Sequence, residues 1–408
     1  MSEPTTRGAS PDRDFRFRDG WLAAYGPSLV ASVGYGAVGP VLALQARALG
    51  ADVSTAAFVV ALMPLGMLLA SLPAGAVIAR VGERRMLAYA GLVDAAAMLA
   101  AAYAGAAWLL GLAAFVSGVA WTAFLIARQG YLISAVPLES RARAMSLLGG
   151  TFRVGVLVGP LLGAALIARW DLTAVFVLAA GTSLVAGLLA VVVPDLGEEE
   201  RRVAAAEGHR SVLSVLREHR RVLLTVGLAV VVIGASRSVR PSLLPLWAEH
   251  VGLSASTTSL IFAAAAAIDL AFLLPGGWLM DRAGRTVVAV PVVLSVAVGL
   301  LLLPLTEGAA GVTAVMALIA LGNGLGSGIV MTLGADCAPP VGRAQFLGGW
   351  RLCGSVGTSG GPLLVGAAAA VAPLAAASVL VGVLALLGTG WVAWTVAGVD
   401  RRLRALSR

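Results

Sequence analysis

The stretch Pro275–Arg285, PGGWLMDRAGR, ends one long apolar run, crosses a charged turn and begins another apolar run. Pro73–Glu83, PAGAVIARVGE, repeats its pattern 202 positions earlier. The coincident pairs are Pro73 with Pro275, Gly75 with Gly277, Arg80 with Arg282, and Gly82 with Gly284. A recurrence of this kind predicts a chain built from two copies of one unit.

The composition is that of a membrane protein. Apolar residues make up 59% of the sequence, charged residues only 12%, and the mean hydropathy is +0.93. A soluble fold is excluded, because soluble domains carry about a quarter charged residues. Since a spanning helix needs about 20 apolar residues, the chain has room for about a dozen spans.

Cysteine, histidine and charge content exclude several kinds of site. Cys337 and Cys353 fall at or inside predicted spans, so no disulfide is expected. His209, His219 and His250 are scattered, and we expect no metal and no cofactor. The formal charge of +8 is typical of basic connections beside a membrane, so we expect no nucleic-acid partner. No nucleophile or paired carboxylates have catalytic spacing, so an enzyme is not expected.

Twelve apolar runs predict twelve transmembrane helices in an all-α membrane protein. Six cover residues 21–46, 55–78, 86–104, 108–136, 144–168 and 172–193, and six cover 222–248, 256–279, 286–305, 311–335, 344–371 and 373–396. The chain divides into an N-terminal tail (1–20), a bundle (21–193), a linker (194–221), a second bundle (222–397) and a C-terminal tail (398–408). A linker helix beginning at Ser211 either lies along the membrane surface or leads into the next span.

Arginine counts predict the orientation. The connections after even-numbered spans and the two tails carry 22 arginines, whereas the opposite side carries two, Arg47 and Arg169. Cytoplasmic connections are the ones enriched in basic residues. We therefore predict a multi-pass protein of the cell membrane with both termini in the cytoplasm.

The 202-residue offset holds along the chain. It relates Gly50 to Gly252, Pro137 to Pro339 and Arg141 to Arg343. The motif GxxxGP recurs in the fifth and eleventh spans, as Gly155, Gly159 and Pro160 and as Gly357, Gly361 and Pro362. Small residues four apart permit close helix packing, and Pro bends a span, so these positions are predicted to serve packing and gating. Two homologous six-helix bundles in parallel orientation predict a ligand site between them near mid-membrane.

The whole chain apart from its tails resembles the major facilitator superfamily. In that family the connection after the second span carries GxLxDRxGRR, motif A. After the eighth span of this chain the matching residues are Gly277, Leu279, Asp281, Arg282, Gly284 and Arg285. The first copy keeps Gly75, Arg80, Gly82, Arg84 and Arg85, but has Ala79 in place of the acid and Glu83 in place of a base. The resemblance implies a latch that joins helix ends in the outward-facing state, mainly in the second half.

Two further expectations concern these motifs. By its charge, Asp281 is expected to cap the N-terminal end of a neighbouring helix, such as the eleventh span, while Arg282 and Arg285 pair with acids or lipid phosphates. Residues 155–163, GVLVGPLLG, resemble motif C, which marks proton-coupled antiporters in this family. Ser146 stands where motif C has an earlier Gly, and simple helix packing is the alternative role of GxxxGP.

Ionisable residues lie at one depth within the spans. They are Asp94, Arg128, Arg153, Asp269 and Arg351, each eight or nine residues from the predicted cytoplasmic end. This is about 12 to 14 Å, near the middle of a hydrocarbon layer of about 30 Å. Such groups normally face a cavity or a partner.

Asp269, Arg128 and Asp94 are candidates for proton coupling. Asp269 is preferred because the resemblance implies that the third span, which carries Asp94, lies outside the cavity. A static ion pair of Asp269 with an arginine is the alternative.

The substrate-binding candidates are basic and aromatic. Arg237 and Arg240 lie three residues apart on one face of the seventh span, where they either receive an anionic substrate group or hold the span through backbone carbonyls. The others are Arg153, Arg351, Trp121 and Phe124, the two aromatics as the wall of a site for a hydrophobic compound.

We therefore expect a monomeric secondary active transporter that works by alternating access among membrane lipids. It is expected to export a small, moderately hydrophobic compound in exchange for protons, with the proton gradient as driving force. Uptake of an anionic metabolite or a sugar is the alternative within transport. A non-transporting receptor or lipid-binding protein is the alternative from another class.

Overall fold

The computed structural model describes residues 17–71, 73–135, 141–192, 217–339 and 343–406, and the regular structure in these ranges is helical. The N-terminal half contains α1 (Phe17–Val38), α2 (Leu42–Ala48), α3 (Val53–Ala70), α4 (Pro73–Val81), α5 (Glu83–Ala102), α6 (Ala107–Ala135), α7 (Arg141–Arg169) and α8 (Leu172–Val192). The C-terminal half contains α9 (Arg220–His250), α10 (Ala255–Ala271), α11 (Leu273–Ala283), α12 (Thr286–Leu302), α13 (Ala309–Leu325), α14 (Ile329–Cys337), α15 (Arg343–Val371) and α16 (Leu374–Leu406).

The number of spans agrees with the apolar pattern. Within the described ranges, ten helical segments are long and apolar enough to cross a bilayer. Two bent pairs, α1 with α2 at 45° and α10 with α11 at 40°, bring the total to twelve. The predicted all-α membrane fold is therefore confirmed.

Several helix ends differ from the predicted spans. The first helix begins at Phe17, inside the predicted tail 1–20, and the last continues to Leu406, through most of the predicted tail 398–408. The second and tenth spans are each interrupted, between α3 and α4 and between α13 and α14. The predicted linker helix at Ser211 lies outside the described residues.

The backbone repeats with the same offset as the sequence. Among the described residues, positive φ angles occur at Gly50 (84°), Gly82 (91°), Gly252 (78°) and Gly284 (98°). These glycines form two pairs 202 positions apart, and L side chains rarely adopt such angles. The side chains of Asp52 and Ser254, also one offset apart, cap α3 and α10. The two halves thus share turn chemistry as well as helix order.

Each copy of GxxxGP packs its helix against the first helix of the same half. A Cβ on Gly159 would lie 2.4 Å from the Val33 carbonyl oxygen of α1, and one on Gly357 would lie 2.3 Å from the Val231 carbonyl oxygen of α9. The other motif residues are Gly155 facing α1, Gly361 facing α9, and Pro160 and Pro362 inside the continuous helices α7 and α15. Both backbone contacts leave no room for a side chain.

The halves meet along two equivalent contacts, α3 with α15 and α7 with α10. We call the end at which α8 stops and α9 starts the linker end, and the opposite end the far end. One hydrophobic core at the far end contains residues of both halves, including Val41, Leu243 and Val365. Towards the linker end each half has separate cores, with Trp121 in one and Phe346 in another. The two halves are therefore joined most extensively at the far end.

Polar contacts also join the two halves at the far end, and we call this joining far-end closure. The Arg47 Nε lies 3.1 Å from the Glu249 Oε2, the Ser54 hydroxyl donates to the Gly366 carbonyl at 2.8 Å, and the Ser256 hydroxyl donates to the Ala164 carbonyl at 3.0 Å. Each contact joins one half to the other. Arg47 and Glu249 are 202 positions apart, so they occupy equivalent sites in the two repeats.

Arg47 and Glu249 form an ion pair across the two halves, so exchanging the two charges should preserve the attraction. We expect Arg47→Glu to destabilise far-end closure by about 1 kcal/mol, about fivefold in population, because an ion pair that is about one third exposed becomes a repulsion. The measurement is maleimide labelling of Ser54→Cys, a position only 8% exposed, in a variant lacking Cys337 and Cys353. The double variant Arg47→Glu/Glu249→Arg should restore protection; labelling that stays raised contradicts the assignment.

Candidate functional site

A buried polar network lies where α9, α10 and α13 meet. The Asp269 carboxylate pairs with the Arg240 Nη1 at 2.9 Å and accepts a hydrogen bond from the Asn323 side-chain nitrogen at 3.0 Å. Asp269 is 8% exposed. Each carboxylate oxygen thus has its own donor, which permits a charged aspartate at this depth.

A side chain also binds the backbone of the helix break beside this network. The break between α13 and α14 consists of residues 326–328, the end of the glycine-rich run GNGLGSG, residues 322–328. Arg237 donates from Nη2 to the carbonyl oxygen of Gly326, which lies in the break. Non-helical backbone at membrane depth is tolerated only where protein or a cavity satisfies it, and broken helices often form ligand sites in transporters. The Asp269 network and the break therefore form one candidate site.

Arg153 links this site to the other half. It lies on α7, which packs against α10, and the negative charge of Asp269 acts on both Arg153 and Arg237. Arg153 has no ion pair or hydrogen bond to another described residue. Arg240 therefore contacts Asp269 directly, whereas Arg153 and Arg237 lie within reach of its charge.

The predicted aromatic residues are packed in the protein core. Trp121 and Phe124 are 4% and 3% exposed and belong to the core of the N-terminal half, because Tyr35 stacks on Trp121 with 4.6 Å between ring centroids. Both line a cavity of about 10 Å³, and their role as the wall of a site for a hydrophobic compound stays a prediction. Tyr35 and Phe152, which the sequence analysis missed, are the more exposed members of this cluster.

Arg128 lies beside the aromatic cluster. Its guanidinium carbon is 5.9 Å from the centroid of the Phe152 ring. Its Nε and Nη1 atoms are buried and have no hydrogen-bond partner among the described residues. Arg128 is thus a buried cation with unused donors and not a member of the Asp269 network.

Asp94 lies inside the N-terminal half, apart from Asp269. It accepts hydrogen bonds from Ser117 of α6 and Ser183 of α8. A cavity of about 10 Å³, with Asp94 and Trp121 in its wall, is large enough for at most one water molecule. Asp94 therefore has two hydroxyl donors but no ion pair with the described residues.

Arg351 connects the halves in a more exposed place. Its Nη2 donates to the Gln129 side-chain oxygen of α6 at 3.0 Å. Arg351 is a predicted substrate-binding residue, and its described polar partner is this glutamine.

At the linker end, the second motif A copy makes its contacts within the C-terminal half. Arg285 forms a bidentate ion pair with Asp336, with Nε to Oδ2 at 2.8 Å and Nη2 to Oδ1 at 3.2 Å. These bonds raise the pKa of Arg285 above its usual value. Arg282 stacks over Trp278, 4.4 Å from the ring centroid. Asp281 is exposed and makes no hydrogen bond with the described residues.

The carboxylate that caps a helix here is Asp400 and not Asp281. Asp400, on α16, accepts bonds from the Arg285 N–H at 2.9 Å, the Thr286 N–H at 3.0 Å and the Thr286 hydroxyl at 2.7 Å. It therefore satisfies the N-terminus of α12, and the expected cap on the eleventh span by Asp281 is absent from the described contacts. This bonding also explains why α16 continues into the predicted tail.

The first motif A copy makes fewer contacts. Arg84 donates to the Val191 carbonyl oxygen at the end of α8, whereas Arg80 is exposed. Gly82 and Gly284 provide the positive φ angles between consecutive helices, and a Cβ on Gly75 or Gly277 would meet nothing within 4 Å.

We expect Asp400→Ala to lower the free energy of unfolding by about 1 to 2 kcal/mol, since it removes a helix cap from a nearly buried position. Asp281→Ala is the matched control, because Asp281 is exposed and makes no hydrogen bond with the part of the chain that the structure describes, and it should be close to neutral. Denaturant or thermal unfolding of the purified protein measures both. A larger loss for Asp281→Ala contradicts the assignment of the cap.

The residues missed by the sequence analysis are polar partners. Asn323 and Gly326 fall in GNGLGSG, an unusually glycine-rich run for a span, and that run was an available signal. Asp400 follows directly on an apolar run, where an acid among arginines gives little indication of a distant partner.

The comparison with known sequences gives the family. The family model described as Major Facilitator Superfamily matches residues 28–362 and 226–407. Multidrug resistance protein MdtG of Salmonella heidelberg is 30% identical over 167 residues, which cover 40% of this chain and 41% of that protein. MdtG of Citrobacter koseri is 29% identical with the same coverage. The matches thus span about two fifths of the length of these relatives.

Solved structures show the same architecture. A POT family transporter in complex with 5-aminolevulinic acid has a TM-score of 0.74 at 12% identity, over 93% of this chain and 96% of that one. The nucleoside transporter NupG has a TM-score of 0.74 at 12% identity, over 92% of this chain and 99% of that one. At this identity the likeness establishes the fold alone. Together with the family match over most of the sequence, it shows that this multi-pass membrane chain belongs to the Major Facilitator Superfamily, a superfamily of transporters and not of enzymes.

Proposed function

We propose that the chain is a monomeric secondary active transporter that exports a small, moderately hydrophobic compound in exchange for protons by alternating access. It acts in the cell membrane with both termini, and hence the linker end, in the cytoplasm. The observation that carries the proposal is the Asp269 network, which is buried in the C-terminal half on α10, the helix that packs against α7 of the other half, and which adjoins a broken helix.

Protonation of Asp269 gives a simple coupling step. A charged Asp269 holds Arg240 at 2.9 Å and attracts Arg153 from the opposite half. A proton on the carboxylate removes both attractions and leaves the hydrogen bond from Asn323 as the main described contact. The electrostatic link between α10 and α7 therefore depends on the proton, and α7 and α10 form one of the two contacts between the halves.

Three observations favour export of an apolar compound. The partial motif C lies in α7, where it packs against α1. The spans are rich in apolar residues, in keeping with the mean hydropathy of +0.93. The relatives that match two fifths of the chain are named multidrug resistance proteins.

The test is compound-dependent proton movement in everted membrane vesicles. Vesicles containing the chain are energised, and a fluorescent pH indicator reports dissipation of the proton gradient when drugs from a chemically diverse panel are added. We expect at least one compound to dissipate the gradient in these vesicles and not in vesicles lacking the chain. Absence of any difference across the panel contradicts proton-coupled export and favours a receptor or lipid-binding role.

A second candidate function is uptake of an anionic metabolite. It is favoured by the grouping of Arg153, Arg237 and Arg240 around the single carboxylate of Asp269. Right-side-out vesicles distinguish the two directions, since uptake predicts accumulation of a labelled anion inside them and export predicts none.

A further inference from the structure

We propose that the transported compound is an amphipathic organic anion whose acidic group binds Arg153 and Arg237 and whose apolar, preferably aromatic, body lies towards Phe152, Tyr35 and Arg128. This inference rests on the proposed function and specifies the substrate class of the same site. The uptake alternative also assumes that the site recognises an anion, and here the recognised anion is the exported compound.

The first argument is charge. The described middle of the spans holds five arginines, Arg128, Arg153, Arg237, Arg240 and Arg351, but two aspartates, Asp94 and Asp269. Asp94 is enclosed by α5, α6 and α8 and bonded to serines, so it does not neutralise the arginine group. Of the described carboxylates, Asp269 is the one that pairs with Arg240 and whose charge acts on Arg153 and Arg237. Uncompensated cations are costly at membrane depth, and an anionic ligand removes this cost.

The second argument is unused donor capacity. Arg240 is engaged by Asp269. Arg237 donates from Nη2 to Gly326, but its Nε is buried and has no acceptor among the described residues. Arg153 has no described polar partner. Arg–carboxylate bonds are among the stronger hydrogen bonds in proteins, so an acidic group is the natural acceptor for these donors.

The third argument concerns the body of the ligand. Phe152 directly precedes Arg153 on α7, and Arg128 lies beside its ring at 5.9 Å. Tyr35 and Phe152 are partly exposed, with 5.9 Å between their ring centroids, and Trp121 packs behind them. An apolar surface with a cation beside it suits a flat aromatic body, which packs against the rings and meets the guanidinium with its face.

The test compares ligands that differ in charge alone. The full chain in nanodiscs is titrated with 1-naphthoate and its neutral isostere 1-naphthamide, and in the same way with indole-3-acetate and indole-3-acetamide, and binding is measured by the thermal unfolding midpoint. We expect at least one acid to bind about tenfold more tightly than its amide, equivalent to about 1.4 kcal/mol. Arg153→Gln should abolish this preference without changing the affinity for the amide.

Controls separate charge recognition from folding. Arg153 makes no ion pair or hydrogen bond with the described residues, so Arg153→Gln should retain or raise the unfolding midpoint of the unliganded protein. Arg153→Lys should keep part of the preference for the acid. Arg169→Gln, at the exposed end of α7, should leave both affinities unchanged. Equal binding of acids and amides, no binding of either acid, or a preference that survives in Arg153→Gln overturns the inference.

Failure of the anion proposal can be distinguished from failure of the proposed transport function. Proton-coupled movement of neutral compounds but not of the acids would leave the transport proposal intact and refute the substrate class. Charge-selective binding without any proton movement supports the anion site and refutes coupled export.

Discussion

Asp269→Ala is expected to abolish proton-coupled transport and to lower the free energy of unfolding by about 3 to 5 kcal/mol, the usual effect of removing one partner of a buried ion pair. Asp269 is 8% exposed, and its loss leaves Arg240 without a described partner. Among the described residues, Arg153 and Arg237 also lose the negative charge that acts on them. Chemical unfolding of the purified protein measures stability, and proton movement in vesicles measures transport.

The double variant Asp269→Leu/Arg240→Met separates coupling from static pairing. Replacing a buried pair by apolar residues of similar volume is often neutral for stability. We therefore expect the double variant to recover most of the stability lost in Asp269→Ala. If the ion pair is a coupling element, transport stays absent. Recovery of transport together with stability would establish the static pair and contradict coupling at Asp269.

Asp94→Asn is the comparison within the other half. An asparagine keeps the size of Asp94 and remains able to bond Ser117 and Ser183. Because Asp94 is remote from the arginine group, we expect this variant to retain compound-dependent proton movement. Loss of coupling in Asp94→Asn but not in Asp269→Asn would transfer the proton site to the N-terminal half.

The parts of the fold predicted from sequence are those with a local or periodic signal. The length of apolar runs set the number of spans, and glycine at a fixed offset revealed the repeat, because positive φ angles at Gly82 and Gly284 require that residue type. The position of Asp269 along its helix also follows from sequence, since helix rise converts sequence distance into distance along the axis.

The pairing of side chains was not predictable in the same way. Arg240 and Asp269 are on different helices, and the choice of Arg240 over Arg153 or Arg237 as the direct partner depends on helix rotation. Trp121 is buried because Tyr35 covers its face, which a list of aromatic residues does not reveal. Asp400 caps a helix that lies 114 positions away in sequence, so its role depends on tertiary packing alone.

The GxxxGP motifs lead to the second large effect. We expect Gly159→Ala to lower the free energy of unfolding by about 1 to 3 kcal/mol, since the added methyl group meets backbone atoms of α1 that cannot move independently of the helix. The new Cβ would lie 2.4 Å from the Val33 oxygen and 2.5 Å from the Ala37 nitrogen. Gly149→Ala is the matched control on α7, because nothing lies within 4 Å of a Cβ there, and it should be neutral or slightly stabilising.

The same variants decide whether the motif serves packing alone or also gating. If Gly159 matters for packing only, Gly159→Ala protein that has folded should transport at the rate of the wild type once vesicle content is normalised. If α7 must slide on α1 during alternating access, transport per folded molecule should fall as well, because the enlarged contact restricts that motion.

Gly361→Ala tests the equivalent contact of α15 with α9, where a Cβ would lie 2.4 Å from the Ala235 oxygen. Each contact lies within one half and joins α7 or α15 to the first helix of that half. Because α7 and α15 also carry the contacts between the halves, we expect gating to fail in both variants. A defect confined to Gly159→Ala would instead assign the gate to α7, the helix that carries Arg153 towards Asp269.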